Sequence, residues 1–144
     1  MTEIYLIAVD GSDASQRALS YTAERAKAAG AKVVLAHVLE WSPYSFLTQE
    51  ELAERHARRK QEVARAESTV LGPMQSILSE QGLAAESVVR YGHVTETLCD
   101  IAKEVDATQI VIGRMGQSGL TARLFGSVAG SLAQVAPVPC TIVP

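Results

Sequence analysis

Residues 110–127 read IVIGRMGQSGLTARLFGS, a short apolar run followed by a stretch rich in glycine. The glycines at positions 113, 116, 119 and 126 leave out side chains, so backbone N–H groups can approach a bulky anion and φ can turn positive. Arg114 and Arg123 add positive charge, and Ser127 adds a hydroxyl group. A strand, a glycine-rich loop and a helix N-terminus form a phosphate cradle, because unpaired amides and the helix dipole both favour negative charge. An ordinary strand-to-helix loop, which also needs turn residues, is the alternative.

Five apolar stretches predict β-strands, and they alternate along the chain with helical patterns. Their predicted bounds are residues 4–9, 32–39, 87–91, 108–112 and 140–143. The first stretch, IYLIAV, is apolar without interruption, as is typical of a central strand covered on both faces. The third is more polar, which indicates an edge strand, and the fifth is also predicted at an edge.

Helix signals separate these strands. Ser12 or Asp13 can cap a first helix, and Gly30 follows that helix at a position that favours a left-handed residue. Two later helices are predicted at residues 95–105 and 126–135. An alternation of strands and helices predicts the α/β class, with a parallel sheet and right-handed crossovers.

A long charged helix is predicted between the second and third strands. Thr48 and Glu51 have the spacing of a capping box at its start. Glutamates and arginines are interleaved along it, so the charges of its face roughly cancel, which favours a solvated face over a surface that binds nucleic acid or a partner. Gly72-Pro73 predicts a kink or a break, with a second segment to residue 82, because the residue before proline is disfavoured in the α region.

The strand order 3-2-1-4-5 satisfies this pattern, since it makes the most apolar strands central. Ligands of such sheets bind where the order reverses, beyond the carboxyl ends of the first and fourth strands. The loops that meet there are Asp10-Gly11-Ser12 and residues 113–127. Asp10 can accept from a ribose hydroxyl or hold a hydrated Mg²⁺, and it can also cap the first helix. A base would lie near Ala8 and Val38, where backbone groups can read an adenine edge.

Composition narrows the function classes. The chain has 144 residues, enough for one domain with a substantial core, and its formal net charge of -3 offers no basic face for nucleic acid. No apolar run is long enough to span a bilayer, and the N-terminus lacks the basic opening of a signal peptide. We therefore expect a cytoplasmic protein. Its two cysteines, Cys99 and Cys140, are too few for a disulfide framework.

Other nucleotide folds fit these residues less well. The turn after the first strand has one glycine, whereas a dinucleotide-binding Rossmann unit requires G-x-G-x-x-G there. The sequence has no G-x-x-x-x-G-K-[ST] motif, which excludes a P-loop. A phosphoacceptor receiver domain would need a late lysine, and no lysine follows Lys103.

The spacing of Gly113, Gly116 and Gly126-Ser127 reads G-x2-G-x9-G-[ST] and resembles the nucleotide-binding signature of the universal stress protein family. The resemblance extends over residues 1–144 and implies one α/β domain of the ATP-binding subgroup. It further implies a set of nucleotide-binding positions in two groups. These are Asp10 and Val38 near the first two strands, and Gly113, Arg114, Met115, Gly116, Gly126, Ser127, Val128 and Ala129 near the last ones. The residues themselves add Ala8, Val9, Gly11 and Ser12 at the end of the first strand and Arg123 in the glycine stretch.

The chain departs from the family pattern at Ala8, where many members have proline. This matters little if the contact is van der Waals. Relatives also dimerise through the last strand, and the stretch between Thr141 and Val143 would be an unprotected edge in a monomer. The resemblance therefore implies a homodimer that pairs along this edge.

Three functions agree with these observations. The first is a cytoplasmic ATP-binding stress-response regulator, whose nucleotide state tunes dimerisation or partner interaction. The second is a slow ATPase or an adenylate-using enzyme, for which only Asp10, Arg114 and Arg123 offer groups near the phosphates. The histidines His37, His56 and His93 form no cluster of nucleophiles or metal ligands, so no catalytic residue is predicted. The third is a nucleotide-free dimeric interaction module.

Overall fold

The fold was analysed in a computed structural model that describes residues 2–40, 48–114 and 120–144, with no side-chain description for 120–127. Five parallel strands form one sheet in the order β3-β2-β1-β4-β5. This order confirms the predicted α/β class and the predicted edge positions of β3 and β5. The strands are β1 (Ile4–Ala8), β2 (Lys32–Leu39), β3 (Ala85–Tyr91), β4 (Gln109–Gly113) and β5 (Cys140–Val143).

Helices follow the strands as the capping signals predict. Ser12 caps the first helix by accepting from the Ser15 N–H, and Gly30 ends it with a left-handed φ of 64°. Thr48 and Glu51 form the predicted capping box. The helices are α1 (Asp13–Ala29), α2 (Gln49–Ala66), α3 (Gly72–Glu80), α4 (Val94–Glu104) and α5 (Leu120–Val135).

Each face of the sheet buries its own hydrophobic core. On one face, Ile7 and Leu35 pack with apolar residues of α1 and α3. On the other face, Leu6 and Ile112 pack with apolar residues of α4 and α5. These four side chains are each 0% exposed, and full burial of such a side chain stabilises a fold by about 1.5–3 kcal/mol. The unbroken apolar pattern of β1 is therefore explained by its two covered faces.

Of the kink or break predicted at Gly72-Pro73, the break is absent, because the chain stays helical from α2 into α3, which is the predicted second segment. A π turn, Glu67–Leu71, joins the two helices, and the Gly72 N–H donates to the Glu67 carbonyl. Pro73 then lies in the first turn of α3, directly after the π turn, and it has no N–H to donate back to that turn.

The region around the glycine stretch also differs from the prediction. Strand β4 ends at Gly113 rather than before it, so this glycine belongs to the sheet. Helix α5 begins at Leu120 rather than at residue 126, which places Gly126 and Ser127 inside the helix instead of at its N-terminus. A single glycine costs a helix only about 1 kcal/mol relative to alanine, and residues 120–125 include helix formers such as leucine, alanine and arginine.

Candidate functional site

The ends of β1 and β4 lie side by side at the carboxyl edge of the sheet. The two strands are neighbours, with Ile7 paired to Val111. The chain therefore leaves both strands at the same edge, into the loop at Asp10 after β1 and into the glycine stretch after Gly113. This is the point where the strand order reverses, and we call it the β1/β4 crevice.

Gly113 packs against the first turn of α1 with no room for a side chain. A Cβ at position 113 would lie 2.8 Å from the Ala14 carbonyl oxygen and 2.9 Å from its carbon. Real Cβ atoms do not approach backbone atoms this closely. Glycine is therefore required here for strand-to-helix packing, and the close contact holds the end of β4 against the N-terminus of α1.

Asp10 is oriented by the residue that caps α1. The Ser12 N–H and hydroxyl both donate to Asp10 Oδ1, at 2.9 and 2.5 Å. The Ser12 hydroxyl oxygen in turn accepts from the Ser15 N–H at 3.2 Å. Gly11 between them has a φ of 81°, a left-handed conformation that favours glycine. The carboxylate thus lies close to the N-terminus of α1, where the helix dipole favours negative charge.

His37 holds the end of β1 from the neighbouring strand. Its Nδ1 lies 2.6 Å from the Val9 carbonyl oxygen, and because a carbonyl only accepts, Nδ1 carries the proton. The Val9 N–H donates to the Ala36 carbonyl at 2.9 Å. The sequence analysis found no cluster of nucleophiles or metal ligands around His37, and it missed this bond. The bond fixes the backbone immediately before Asp10.

The other candidate positions on the first two strands differ in how deeply their side chains are buried. Ala8 and Val9 are 4% and 3% exposed, and their side chains lie in the two opposite cores. Only their backbone groups could therefore contact a ligand, and in Val9 the N–H already bonds to Ala36 and the carbonyl to His37. Val38 is half-buried on β2, on the other side of β1 from Gly113. It lies near the carboxyl end of β2, the place where the sequence predicts a base.

The candidate positions after β4 are only partly described. The Arg114 N–H donates to the Val143 carbonyl at 2.7 Å, and its side chain is exposed. Val128 is half-buried and Ala129 is 4% exposed, and both pack in the core beneath the sheet. Met115 and Gly116 lie outside the described residues. Arg123, Gly126 and Ser127 lie within α5, where only the backbone is described.

The described residues were searched for clusters of metal ligands and for helices that could cross a membrane. Among residues 2–40, 48–114 and 120–144, no three His, Cys, Asp or Glu side chains cluster as a metal site. A single oriented carboxylate such as Asp10 suits Mg²⁺, which keeps several waters and takes its other ligands from phosphates. No helix in the described part of the chain is long and apolar enough to cross a membrane.

Known proteins resemble the chain over its whole length. The model of the universal stress protein family matches residues 1–144. Universal stress protein YxiE of Bacillus subtilis is 30% identical over 142 residues, which is 96% of each chain.

Solved structures agree with this match. The universal stress protein of Archaeoglobus fulgidus in complex with dAMP is 28% identical, covers 100% of this chain and 98% of that one, and superposes with a TM-score of 0.69. UspA of Lactobacillus plantarum has a TM-score of 0.82 and covers 99% of this chain and 97% of its own. At 22% identity, the latter similarity shows the shared fold alone.

Proposed function

Since the chain belongs to the universal stress protein family, we propose that it binds an adenine nucleotide, ATP above all, in the β1/β4 crevice. The observation that carries this proposal is the packing of Gly113 on Ala14, which brings the end of β4, where the glycine stretch begins, to the N-terminus of α1 beside Asp10. A helix N-terminus and glycine amides are the groups that bind phosphate. The dAMP complex of the Archaeoglobus fulgidus relative supports an adenine nucleotide as the ligand.

Each part of the crevice would meet a different part of the nucleotide. The glycine stretch from Gly113 onward would bind the phosphates through backbone amides, with Arg114 as a nearby charge. Asp10, oriented by Ser12, would accept from a ribose hydroxyl or hold Mg²⁺ through water beside the phosphates. The base would lie over the ends of β1 and β2, near Val38, where backbone groups recognise adenine.

We further propose that the nucleotide state tunes homodimerisation or the docking of a protein partner. Strand β5 is an edge of the sheet, and Ile142 on it is 39% exposed. Pairing between Thr141 and Val143 of two copies would cover this edge. The Arg114 N–H bonds to Val143 in β5, so the start of the glycine stretch and the proposed dimer strand are directly connected. Sedimentation with and without ATP tests this link, and an unchanged oligomeric state contradicts it.

The first experiment is to denature the purified protein, identify released nucleotide by mass, and titrate the stripped protein with ATP and Mg²⁺. Asp10→Asn and Asp13→Asn make a matched pair, because both remove one carboxylate near the start of α1. We expect Asp10→Asn to weaken binding in Mg²⁺ about tenfold, as a lost charged contact does, and Asp13→Asn to bind like wild type. Gly116→Val should abolish binding by filling the loop.

The other two functions give different results in these assays. A slow ATPase or adenylate-using enzyme would release phosphate or pyrophosphate from ATP, and Asp10→Asn would lower turnover more than binding. A nucleotide-free module would release no nucleotide and bind no ATP, and the Gly116→Val variant would behave like wild type. Either result would overturn the regulatory ATP-binding proposal.

A further inference from the structure

A second concave surface lies at the far end of the same sheet edge, between α2 and the end of β3. This cleft has a volume of about 410 Å³, within the range of small-molecule sites. Tyr91, the last residue of β3, forms one wall, and one face of α2 and the π turn forms the other. The helical residues of this α2 cleft are His56, Arg59, Lys60, Val63, Ala64 and Glu67.

Tyr91 is fixed in place as an uncharged wall. Its hydroxyl donates to the Glu62 carboxylate, and the Arg59 guanidinium lies 5.0 Å from the centre of its ring. Burial, followed by the hydrogen bond to Glu62, raises the pKa of Tyr91 to about 12. The phenol is therefore neutral at physiological pH and adds no negative charge to the cleft.

The helical wall has an uneven charge. Residues 55–60 read RHARRK, the most basic run in the chain, and three of these residues line the cleft. His56 and Lys60 are exposed, and neither forms an ion pair with a carboxylate in the described part of the chain. Val63 and Ala64 follow one turn later. Glu67 lies at the opposite end, about 10 Å along the helix from Lys60.

The α2 cleft is separate from the β1/β4 crevice. Strand β3 stands three positions from β4 in the sheet, which corresponds to about 14 Å at the usual strand spacing. Tyr91 pairs with Leu39 at the carboxyl edge. A ligand in this cleft would therefore contact α2 and β3 and lie away from β4 and Gly113, whereas the proposed base position near Val38 lies on β2, the strand next to β3.

We propose that the α2 cleft binds a small organic phosphate monoester with a non-polar body. Such a group carries about -1.5 to -2 charges near neutral pH, which suits the cluster of Arg59, Lys60 and His56. The body of the ligand packs on Val63, Ala64 and the Tyr91 ring. Glu67 repels a second anionic group and favours an N–H donor at the far end. The site does not depend on the nucleotide proposal.

Phenyl phosphate is the probe that tests this site in the full-length protein. Amide chemical shifts, followed by NMR during titration, should change at residues 56–67 and at Tyr91. Lys60→Gln should weaken binding about tenfold, as expected for one lost charged contact. Lys27→Gln is the matched control, because Lys27 is exposed in the last turn of α1, and it should bind like wild type.

Three results would overturn the proposal. Equal affinities of Lys60→Gln and Lys27→Gln would show that the cationic face does not bind the phosphate. Equal binding of phenol would show that the ring alone is recognised. Shift changes at Asp10 and Gly113 in place of those at residues 56–67 would show that the probe occupies the β1/β4 crevice. Lys60 and Lys27 are both exposed, so both variants should fold, which circular dichroism verifies.

Discussion

The β1/β4 crevice and the α2 cleft lie on the same edge of one sheet, but different parts of the chain form them. The crevice depends on backbone: a glycine packed on Ala14, a left-handed Gly11 and a carbonyl held by His37. The cleft depends on side chains that two distant segments bring together, as in the contact of Arg59 with Tyr91. A site formed by the backbone requires particular residue types at particular spacings. A site formed by side chains tolerates many different residue types and spacings.

This difference predicts how substitutions in the β1/β4 crevice and in the α2 cleft change stability and ligand affinity. A backbone site is sensitive to a single added methyl group, because the groups around it belong to the main chain and cannot rotate away. A side-chain site on an exposed helix face should change its ligand affinity with little change in stability. The following predictions test this contrast in order of expected effect.

The largest effect is expected for Gly113→Ala compared with Gly130→Ala. The new Cβ at position 113 would overlap the backbone of Ala14, whereas a Cβ at position 130 meets nothing within 4 Å. We expect Gly113→Ala to lower the free energy of unfolding by roughly 1–3 kcal/mol, as overpacking does. Gly130→Ala lies in the middle of α5 and should raise it by up to about 1 kcal/mol. Urea unfolding of both variants measures the sign of each change in the free energy of unfolding.

Losses of equal size in both variants would contradict this assignment, because position 113 would then not be a special packing site. The effect of Gly113→Ala on stability also complicates its use in ATP-binding assays. Loss of ATP binding in Gly113→Ala can arise from displacement of β4 from α1, so Gly116→Val is the better probe of the loop.

The next effect compares Gly11→Ala with Gly30→Ala. Both glycines have positive φ, 81° and 64°, so each substitution should cost about 1–2 kcal/mol of stability. Gly11 lies between Asp10 and Ser12, whereas Gly30 ends α1 at the opposite edge of the sheet. We therefore expect a similar loss of stability in both and weaker ATP binding in Gly11→Ala alone. Equal ATP affinities in the two variants would count against the crevice.

Much of the fold was predictable because its signals are local. Apolar runs predicted the five strands and their order, and Thr48 with Glu51 predicted the start of α2. Gly72-Pro73 predicted a kink or a break, and the break is absent, since a π turn lets the chain remain helical before proline. The start of α5 was placed six residues too late because glycine at position 126 resembled a helix boundary.

The candidate site was predictable as a place but not as a set of contacts. The glycine spacing and the reversal of strand order both indicated the ends of β1 and β4. Nothing in the sequence indicated that Gly113 packs on Ala14 or that His37 donates to Val9, because these contacts join residues far apart in the chain. The α2 cleft was missed for the same reason, since its basic face and Tyr91 are separated by a whole helix.

A smaller effect is expected from the ionisation of Tyr91. Its pKa is about 12 in the folded protein and 10.0 for an unperturbed tyrosine, so folding favours the protonated phenol. This contribution is fully present below pH 10 and is lost as the pH rises from about 10 through about 12. Wild type should lose stability relative to Tyr91→Phe over that window, which urea unfolding at several pH values measures. A constant difference across the window would show that Tyr91 is not buried against α2.

The smallest effect is expected for Arg58→Gln and Lys60→Gln. Arg58 pairs with Glu54 at 3.9 Å, but the two side chains are 73% and 70% exposed, and such pairs contribute about 0–1 kcal/mol. Lys60 is exposed on the neighbouring face of the same turn. Each substitution should therefore change the free energy of unfolding by less than about 0.5 kcal/mol in urea. Only Lys60→Gln should weaken phenyl phosphate binding, because only Lys60 lines the cleft. A large loss of stability in Lys60→Gln would mean that this cation holds α2 against the sheet. The basic face would then stabilise the fold. The cleft would no longer differ from the crevice in being a site where substitutions change ligand affinity with little change in stability.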